Sequence, residues 1–437
     1  MLYFCTILLI YSFYRGIRGC VRILKSYQYL SVKTVTRREV NNLNKIRFHI
    51  LIPVLREQEI IEDTIHHFAH LSGDYHVYII TTEKEDFQKS NSKRIPEKYK
   101  RLSTTKKLAE RYLNSHSDVA KKVSIIHFPE TYGVVAHQYN YALEQLEGTV
   151  SDTDFIIVYN ADSRVSKNIL LKYEELIQSE KDCRVVQQSA AFLANYKNLS
   201  SFLKSIALLQ TRWTMAHEIP RLLNAKGSFG ISEGAHVVAH GLCIQYKFFR
   251  DIGWFPQDFL NEDLPLGYFI RLHGAKIYLL RELENADTPT SVKSMFNQYR
   301  TWFYGLLYYP VYIRKALKNQ KFKKNEVVVW GLKYCVRAVL WFGLSITWLL
   351  LFVLPILLNR PFLVWLSLLS FVIYAPVSFL LVYLTVGRDF GIKTEFMPIA
   401  LSPIVFLTHS FGPLMAVFDL INSILFKRSI YKNKTER

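Results

Sequence analysis

Four apolar runs alternate with polar stretches over positions 48 to 159. They are FHILIPV (Phe48 to Val54), HVYIITT (His76 to Thr82), VSIIHF (Val123 to Phe128) and DFIIVY (Asp154 to Tyr159). Near-continuous apolar runs of this length fit strands buried on both faces of a sheet. Between them Ile61, Ile65 and Phe68 keep helical spacing, as do Tyr139, Leu143 and Leu146. Strand and helix in alternation predict an α/β domain with a mixed, largely parallel sheet. The polar stretch from Glu83 to Lys122 is too long for a bare connection, and KKLAERYL within it reads as a helix.

Beyond Ala338 the pattern changes. Three apolar runs follow, Ala338 to Leu358, Phe362 to Val386 and Phe396 to Phe426, each longer than the roughly 20 residues that cross a bilayer as a helix. They predict an integral, multi-pass membrane protein. The chain opens with LYFCTILLIYSFY, and Arg15, Arg18, Arg22 and Lys25 follow. A secretory signal would place its charge before the apolar core, so this segment reads as a short anchor with cytoplasmic chain after it. The expected organisation is an anchor over 1–25, a cytoplasmic domain over 46–309, a basic interfacial segment over 310–337, a transmembrane block over 338–426 and a basic tail over 427–437. Three crossings would put that tail outside, against the positive-inside preference. Pro398, Pro403, Pro413 and Asp419 break the last run, and a re-entrant or broken segment there would return the tail to the cytoplasm.

Composition narrows the class further. Half of the 437 residues are hydrophobic and 14% are aromatic, too many for one small soluble domain. The formal charge is +19, with basic residues crowded from Lys84 to Lys122 and in the tail. A solvated face accounts for such runs first, and attraction to anionic headgroups or phosphate-bearing substrates second. No nucleic-acid recognition motif accompanies the charge, so nucleic acid is not an expected partner. The five cysteines lie far apart without CxxC or Cys/His spacing, which argues against a zinc site or a disulfide framework.

Four stretches carry candidate chemistry. DFIIVY ends in Asn160, Ala161, Asp162 and Ser163, at the strand end where sheets of this type bind ligands. Mg²⁺ on a nucleotide diphosphate commonly uses one or two carboxylates plus phosphate oxygens, so Asp162 alone can serve. Asn160 would bond a ribose hydroxyl. Alternatively, Asp162 and Ser163 cap a helix begun by SKNILLKYEEL, and the tetrapeptide alone supports both readings. In FLNEDLPLGYFIRL, Glu262 and Asp263 open an amphipathic helix, where they either cap it or offer a general base, Asp263 being the better placed. In VVAHGLCIQ, Gly241 suits a tight turn and His240 is a phosphate or acceptor contact, or a structural histidine. In NQYRTWFYG, Trp302 offers a stacking face and Gln298 and Arg300 offer donors, unless the aromatics form an interfacial belt.

In this order the pieces resemble the family 2 glycosyltransferases, especially the membrane-embedded cellulose, chitin and hyaluronan synthases. ILIPVLREQEIIEDTI resembles that family's opening strand and helix, with Pro53 and Glu57 at matching positions, and GVVAHQYNYALEQ its segment ending in a helical Asn, here Asn140. YNADS corresponds to the DxD metal motif, NED to the TED motif with the catalytic base, and NQYRTW to the QxxRW motif. The resemblance covers about residues 46 to 305. It implies a GT-A fold, a nucleotide-sugar donor (a UDP-sugar first), Mg²⁺ or Mn²⁺, and inverting transfer to a hydroxyl of a glycan or lipid-linked acceptor, while the compact architecture makes the plasma membrane the expected location.

In that scheme Asp162 binds the metal and Asp263, beside Glu262, deprotonates the acceptor. Pro53, Glu57, Glu83, Asn140 and Asn160 serve the donor, with Glu57 and Glu83 near the base and ribose. His240, Gln298, Arg300 and Trp302 serve the acceptor and diphosphate end. Three positions depart from the pattern: Asn160 replaces the first Asp, Val134 stands where a Lys often follows the glycine, and Thr301 replaces the arginine before Trp302. Arg300 lies one residue early, a turn of about 100° on a helix. Transfer to a polyprenyl phosphate is a second reading, and a catalytically silent membrane scaffold that binds nucleotide sugar is a third.

Overall fold

The computed structural model describes residues 1–32, 45–86, 99, 102–224 and 237–426. The basic tail over 427–437 lies outside the described residues, as do 87–98 and 100–101 of the basic stretch. The chain forms two compact units. One comprises Val35–Ser189 and His236–Glu284, the other Met1–Thr34, Ala190–Ala235 and Asn285–Arg437.

The first unit is built on a seven-stranded sheet: β1 (Phe48–Pro53), β2 (Tyr75–Thr82), β3 (Val123–Phe128), β4 (Phe155–Val158), β5 (Val185–Gln187), β6 (Leu242–Gln245) and β7 (Ile277–Leu279). The four apolar runs form β1 to β4. Their order across the sheet is β3-β2-β1-β4-β6-β5-β7. β1 pairs in parallel with β2 on one side and with β4 on the other, Leu51 lying opposite both Tyr78 and Val158. β6 alone runs against its neighbours, pairing Leu242 with Val158 and Gln187.

β1, β2 and β3 spread to one side, and β4 returns to the other flank of β1. Connections leaving β1 and β4 therefore diverge and open a crevice beyond their carboxyl ends, where open α/β sheets bind ligands. The helix Ile61–Ala69 covers this part of the sheet, with Ile61, Ile65 and Phe68 fully buried. Each such side chain contributes about 1.5–3 kcal/mol by leaving water. KKLAERYL lies in the helix Thr105–Ser115, whose first turn is capped by the Thr104 hydroxyl accepting from Lys107 N–H at 3.4 Å.

The second unit is helical. Its N-terminal helix spans Leu2–Ser31, so it contains the anchor expected over 1–25 and runs about two turns further, with no proline to interrupt it. Its buried positions, Cys5, Leu9, Ser12, Gly16, Gly19, Ile23 and Ser26, recur every three or four residues and are mostly small. Small residues let helices approach closely in a bilayer. Ser12 Oγ lies 2.5 Å from Ser370 Oγ, and Ser26 Oγ donates to the Met215 carbonyl at 2.7 Å.

Among the described residues of this unit, three helices are long and apolar enough to cross a membrane: Leu2–Ser31, Pro361–Gly387 and Ser402–Phe426. The run Ala338–Leu358, expected as one crossing, lies in two helices that are long and apolar enough for a span only together. Lys324–Phe342 and Leu344–Leu357 meet at Gly343 with a bend of 50°, glycine being a common site of helix kinks. In the proline-rich last run the short helix Phe396–Ala400 stands apart, and the span Ser402–Phe426 consists of Ser402–Thr408 and Phe411–Phe426 joined through His409 and Ser410.

Candidate active site

The carboxyl end of β4 continues through Tyr159 into a tight turn. Ser163 N–H donates to the Asn160 carbonyl at 3.1 Å, and the Ser163 hydroxyl accepts from Asn160 N–H at 3.0 Å. The next helix begins only at Ile169, with Asn168 at its N-cap. Asp162 and Ser163 therefore do not cap it, and the capping explanation of this tetrapeptide falls. Asp162 is 4% exposed in a turn tied down by Thr64, whose hydroxyl donates to the Ala161 carbonyl at 2.5 Å. Just beyond, His67 Nε2 accepts from Val165 N–H at 3.2 Å. That role needs the neutral ring, and burial first, then the charges of Arg164 and His66, push the imidazole down to about 4.

Pro53 ends β1 and Glu57 follows it. The Glu57 N–H donates to the Thr105 hydroxyl at 3.0 Å. Between them Arg56 takes a left-handed backbone, φ 57°, and its N–H is held by the Glu85 carboxylate, which also accepts from Thr105 N–H at 2.7 Å. Glu85 is a residue the sequence reading missed, two positions beyond Glu83 in a run of charges. Glu83 itself, at the end of β2, lies 2.6 Å from His127 Nε2, while His127 Nδ1 faces Thr81 Oγ1 at 2.9 Å. Lys84 Nζ reaches back to the Gly133 carbonyl, and burial lowers its pKa. A cation thus meets the glycine turn from β2 although position 134 carries valine.

Asn140 uses its side chain on the backbone. Its Nδ2 donates to the Phe255 carbonyl at 2.9 Å and its Oδ1 accepts from Phe255 N–H at 3.0 Å. Its neighbour Tyr139 stacks on the Phe255 ring at 4.6 Å. Burial, then the charges of Glu262 and Asp263, hold the Tyr139 phenol well above its ordinary pKa. The helix Val135–Gln145 therefore braces the turn that leads into Asn261, Glu262 and Asp263. The helix Asp263–Leu272 begins there, with Glu262 buried and Asp263 half-buried, its Oδ1 accepting from Leu264 N–H at 2.7 Å. Asp263 is the more accessible of the two carboxylates.

His240 and Gly241 precede β6 and so lie beside the end of β4. Gly241 N–H donates to the Val158 carbonyl and the Gly241 carbonyl accepts from Gln188 N–H, both at 2.8 Å. With φ +68° and a Cβ position 2.6 Å from the Gln188 carbonyl, only glycine fits here. His240 Nδ1 is 3.1 Å from Oε2 of Glu284, a fully buried carboxylate that no sequence signal exposed.

Pro53, Glu57, Glu83, Asn160, Asp162 and His240 thus gather along one edge of the sheet, around the β1/β4 crevice. Among the described residues no group of three or more His, Cys, Asp and Glu could hold a metal ion. Asp162, a buried carboxylate at this strand end, fits a hard cation that takes its remaining oxygens from a diphosphate and water.

Gln298, Arg300 and Trp302 belong to the helical unit, on Val292–Leu307. Gln298 Oε1 accepts from Gln210 Nε2 at 2.7 Å, and Trp302 packs against Phe192 at 6.3 Å between ring centres. Arg300 is paired with Asp419, which also accepts from the Tyr304 hydroxyl. The backbone of this helix touches Phe411–Phe426 so closely that a Cβ on Gly412 would fall 2.4 Å from the Tyr299 Cβ.

Comparison with known proteins agrees with this architecture. No curated protein sequence matches the chain. Over its whole length the chain is similar to a mannosyltransferase, PcManGT from Pyrobaculum calidifontis, solved in complex with GDP-Man and Mn²⁺. The TM-score is 0.50 at 12% identity, covering 98% of this chain and 100% of that one, and the likeness supports the GT-A fold. Mouse xyloside xylosyltransferase 1, apo form, is far less similar: TM-score 0.25 at 8% identity, over 47% of this chain and 69% of that one. The profile of the glycosyl transferase family group 2 matches residues 155–384, from the first residue of β4 to deep in the apolar block and over just over half of the chain, and the protein is a member of that family, a glycosyltransferase.

Proposed function

We propose that the chain is a membrane-bound, inverting glycosyltransferase that moves a sugar from a nucleotide diphosphate to a hydroxyl of a growing polysaccharide or lipid-linked glycan. The observation that carries this reading is the turn of Asp162, a buried carboxylate at the β1/β4 crevice that caps no helix. Asp162 would hold Mg²⁺ or Mn²⁺, which when bound offsets negative charge on the leaving diphosphate.

Asp263 takes the proton from the acceptor hydroxyl, being the accessible carboxylate of the NED turn. Glu262 and Tyr139 fix that turn from behind. Glu57, Glu83 and Asn160 contact the nucleoside, and Lys84 adds a positive charge beside the glycine turn. His240, kept in place by Glu284, faces the diphosphate or acceptor, while Gln298 and Trp302 serve the acceptor. The basic residues after Tyr14 favour a cytoplasmic catalytic domain at the plasma membrane. A UDP-sugar is the first donor to try, and the ligand of the mannosyltransferase neighbour puts GDP-mannose beside it.

The test is release of nucleotide diphosphate by the purified full chain from a panel of UDP- and GDP-sugars, with Mg²⁺ or Mn²⁺ and with glycan and lipid acceptors. Metal-dependent release from one donor, abolished by Asp162→Ala and cut about 100- to 10,000-fold by Asp263→Asn with donor affinity retained, is expected. Unchanged turnover in Asp263→Asn would remove that residue from the role of base. Silence of the wild type across every donor, metal and acceptor would favour a nucleotide-sugar-binding scaffold.

A further inference from the structure

The helical unit contains a cavity of about 190 Å³, lined by Tyr11, Ser12, Arg15, Thr347, Trp348 and Tyr374 together with an apolar wall of Val339, Leu340 and Leu344. Gly343, where the helices Lys324–Phe342 and Leu344–Leu357 bend by 50°, also lines it. The space is smaller than the roughly 300–1,000 Å³ typical of a small-molecule site. It therefore suits one compact group and the start of a chain rather than a sugar nucleotide or an oligosaccharide.

One guanidinium, that of Arg15, lines the cavity, and a second, that of Arg212, lies on the ring of the lining Tyr374. That of Arg15 lies 5.7 Å from the centre of the Tyr11 ring and 5.9 Å from that of Tyr374. Arg212, only 2% exposed, lies over the same Tyr374 ring at 4.5 Å and donates through Nε to Ser378 Oγ at 2.7 Å. Its Nη2 has no hydrogen-bond partner among the described residues. Neither arginine pairs with a carboxylate among the described residues. Two like charges sharing one ring in an apolar surrounding are costly unless an anion joins them.

The lining points to the source of that anion: a guanidinium beside an apolar wall, in a unit with helices long and apolar enough to cross a membrane, suits a phosphate that carries an acyl chain.

We propose that this cavity binds the phosphate of an anionic membrane phospholipid. Arg15 pairs with the phosphate oxygens, Arg212 adds its charge across Tyr374, and the first part of an acyl chain lies along Val339, Leu340 and Leu344. The site rests on the reading of these helices as membrane-embedded.

The experiment is native mass spectrometry of the full chain purified in detergent, titrated with phosphatidylglycerol, diacylglycerol, a polyprenyl phosphate and inorganic phosphate. Retention of one phosphatidylglycerol per chain is expected, weakened about tenfold or more by Arg15→Gln through loss of charge-assisted bonds. Thr347→Trp, which fills the cavity with both arginines in place, should weaken it equally. Unchanged retention in either folded variant, equal retention of diacylglycerol, or equal affinity for inorganic phosphate would overturn the proposal. Preferential retention of polyprenyl phosphate would also overturn it, by assigning the cavity to an acceptor lipid. An alkaline wash of membranes separates the two levels: release of the chain refutes the membrane reading, whereas a retained chain that binds no phosphatidylglycerol refutes this site alone.

Discussion

Arg300 and Asp419 form an ion pair between two helices of the same unit, 119 positions apart in sequence, with Tyr304 donating to the same carboxylate oxygen. The arginine that sits one place early in NQYRTW therefore has a partner of its own. Asp419→Ala leaves a guanidinium without its counter-charge. Its expected cost is about 2 kcal/mol, less than the roughly 3–5 kcal/mol of a fully buried pair, because both side chains keep 23% exposure. Thermal unfolding of both single variants and the double variant checks this, and additive effects would mean that the pair is not coupled.

Asn140 decides between binding the donor and holding a loop. Its amide is spent on the backbone of Phe255, so Asn140→Ala should cost about 1–3 kcal/mol by leaving buried polar groups unsatisfied. Turnover should fall while donor affinity stays within about twofold, since the NED turn moves and the β1/β4 crevice does not. A loss of donor affinity with turnover intact, read from KM and kcat, would return Asn140 to the donor.

Gly241→Ala places a Cβ 2.6 Å from the Gln188 carbonyl at a φ of +68°. The neighbour is backbone and cannot swing aside, so strain of about 1–3 kcal/mol is expected. Gly253, also at positive φ, has nothing within 4 Å of its Cβ position. Gly253→Ala should therefore cost less, and comparison of the two melting temperatures separates steric contact from backbone strain.

His67 gives the Asp162 turn a pH dependence. Its folded pKa is depressed to about 4 from the ordinary 6.5, so between these values the unfolded chain binds a proton that the folded chain does not. The stabilisation is complete above pH 6.5 and is lost as pH falls from there towards 4. Amide exchange at Val165 should speed up over that window relative to Phe155 in β4, and His67→Gln should flatten the difference.

Each of the four apolar runs became a strand: β1 and β4 are buried on both faces, while β2 and the edge strand β3, half-buried in part, keep near-continuous apolar runs all the same. The Asp162 turn was legible as a strand end, yet its freedom from helix capping was not, since nothing in SKNILLKYEEL reveals that the helix waits until Ile169. Pairings such as Asn140 with Phe255, 115 positions apart, leave no local trace. The same holds for Glu284, whose partner His240 comes 44 positions earlier. Nor did hydropathy show the break at Gly343, because a bent helix stays as apolar as a straight one.

Ser12 of the helix Leu2–Ser31 leaves the ribosome well before the residue that closes on it, Ser370, 358 positions later. At about 5–20 residues per second that is a delay of roughly 20–70 s. Ser26 meets Met215 half-way through synthesis, but Ser12 and Gly16 of the same stripe have no native partner until most of the chain has been made. Translation pauses, or stop codons before the Ser370 segment, should therefore harm this protein more than their distance from the catalytic sheet would imply, by leaving the first helix to pair with whatever the membrane offers.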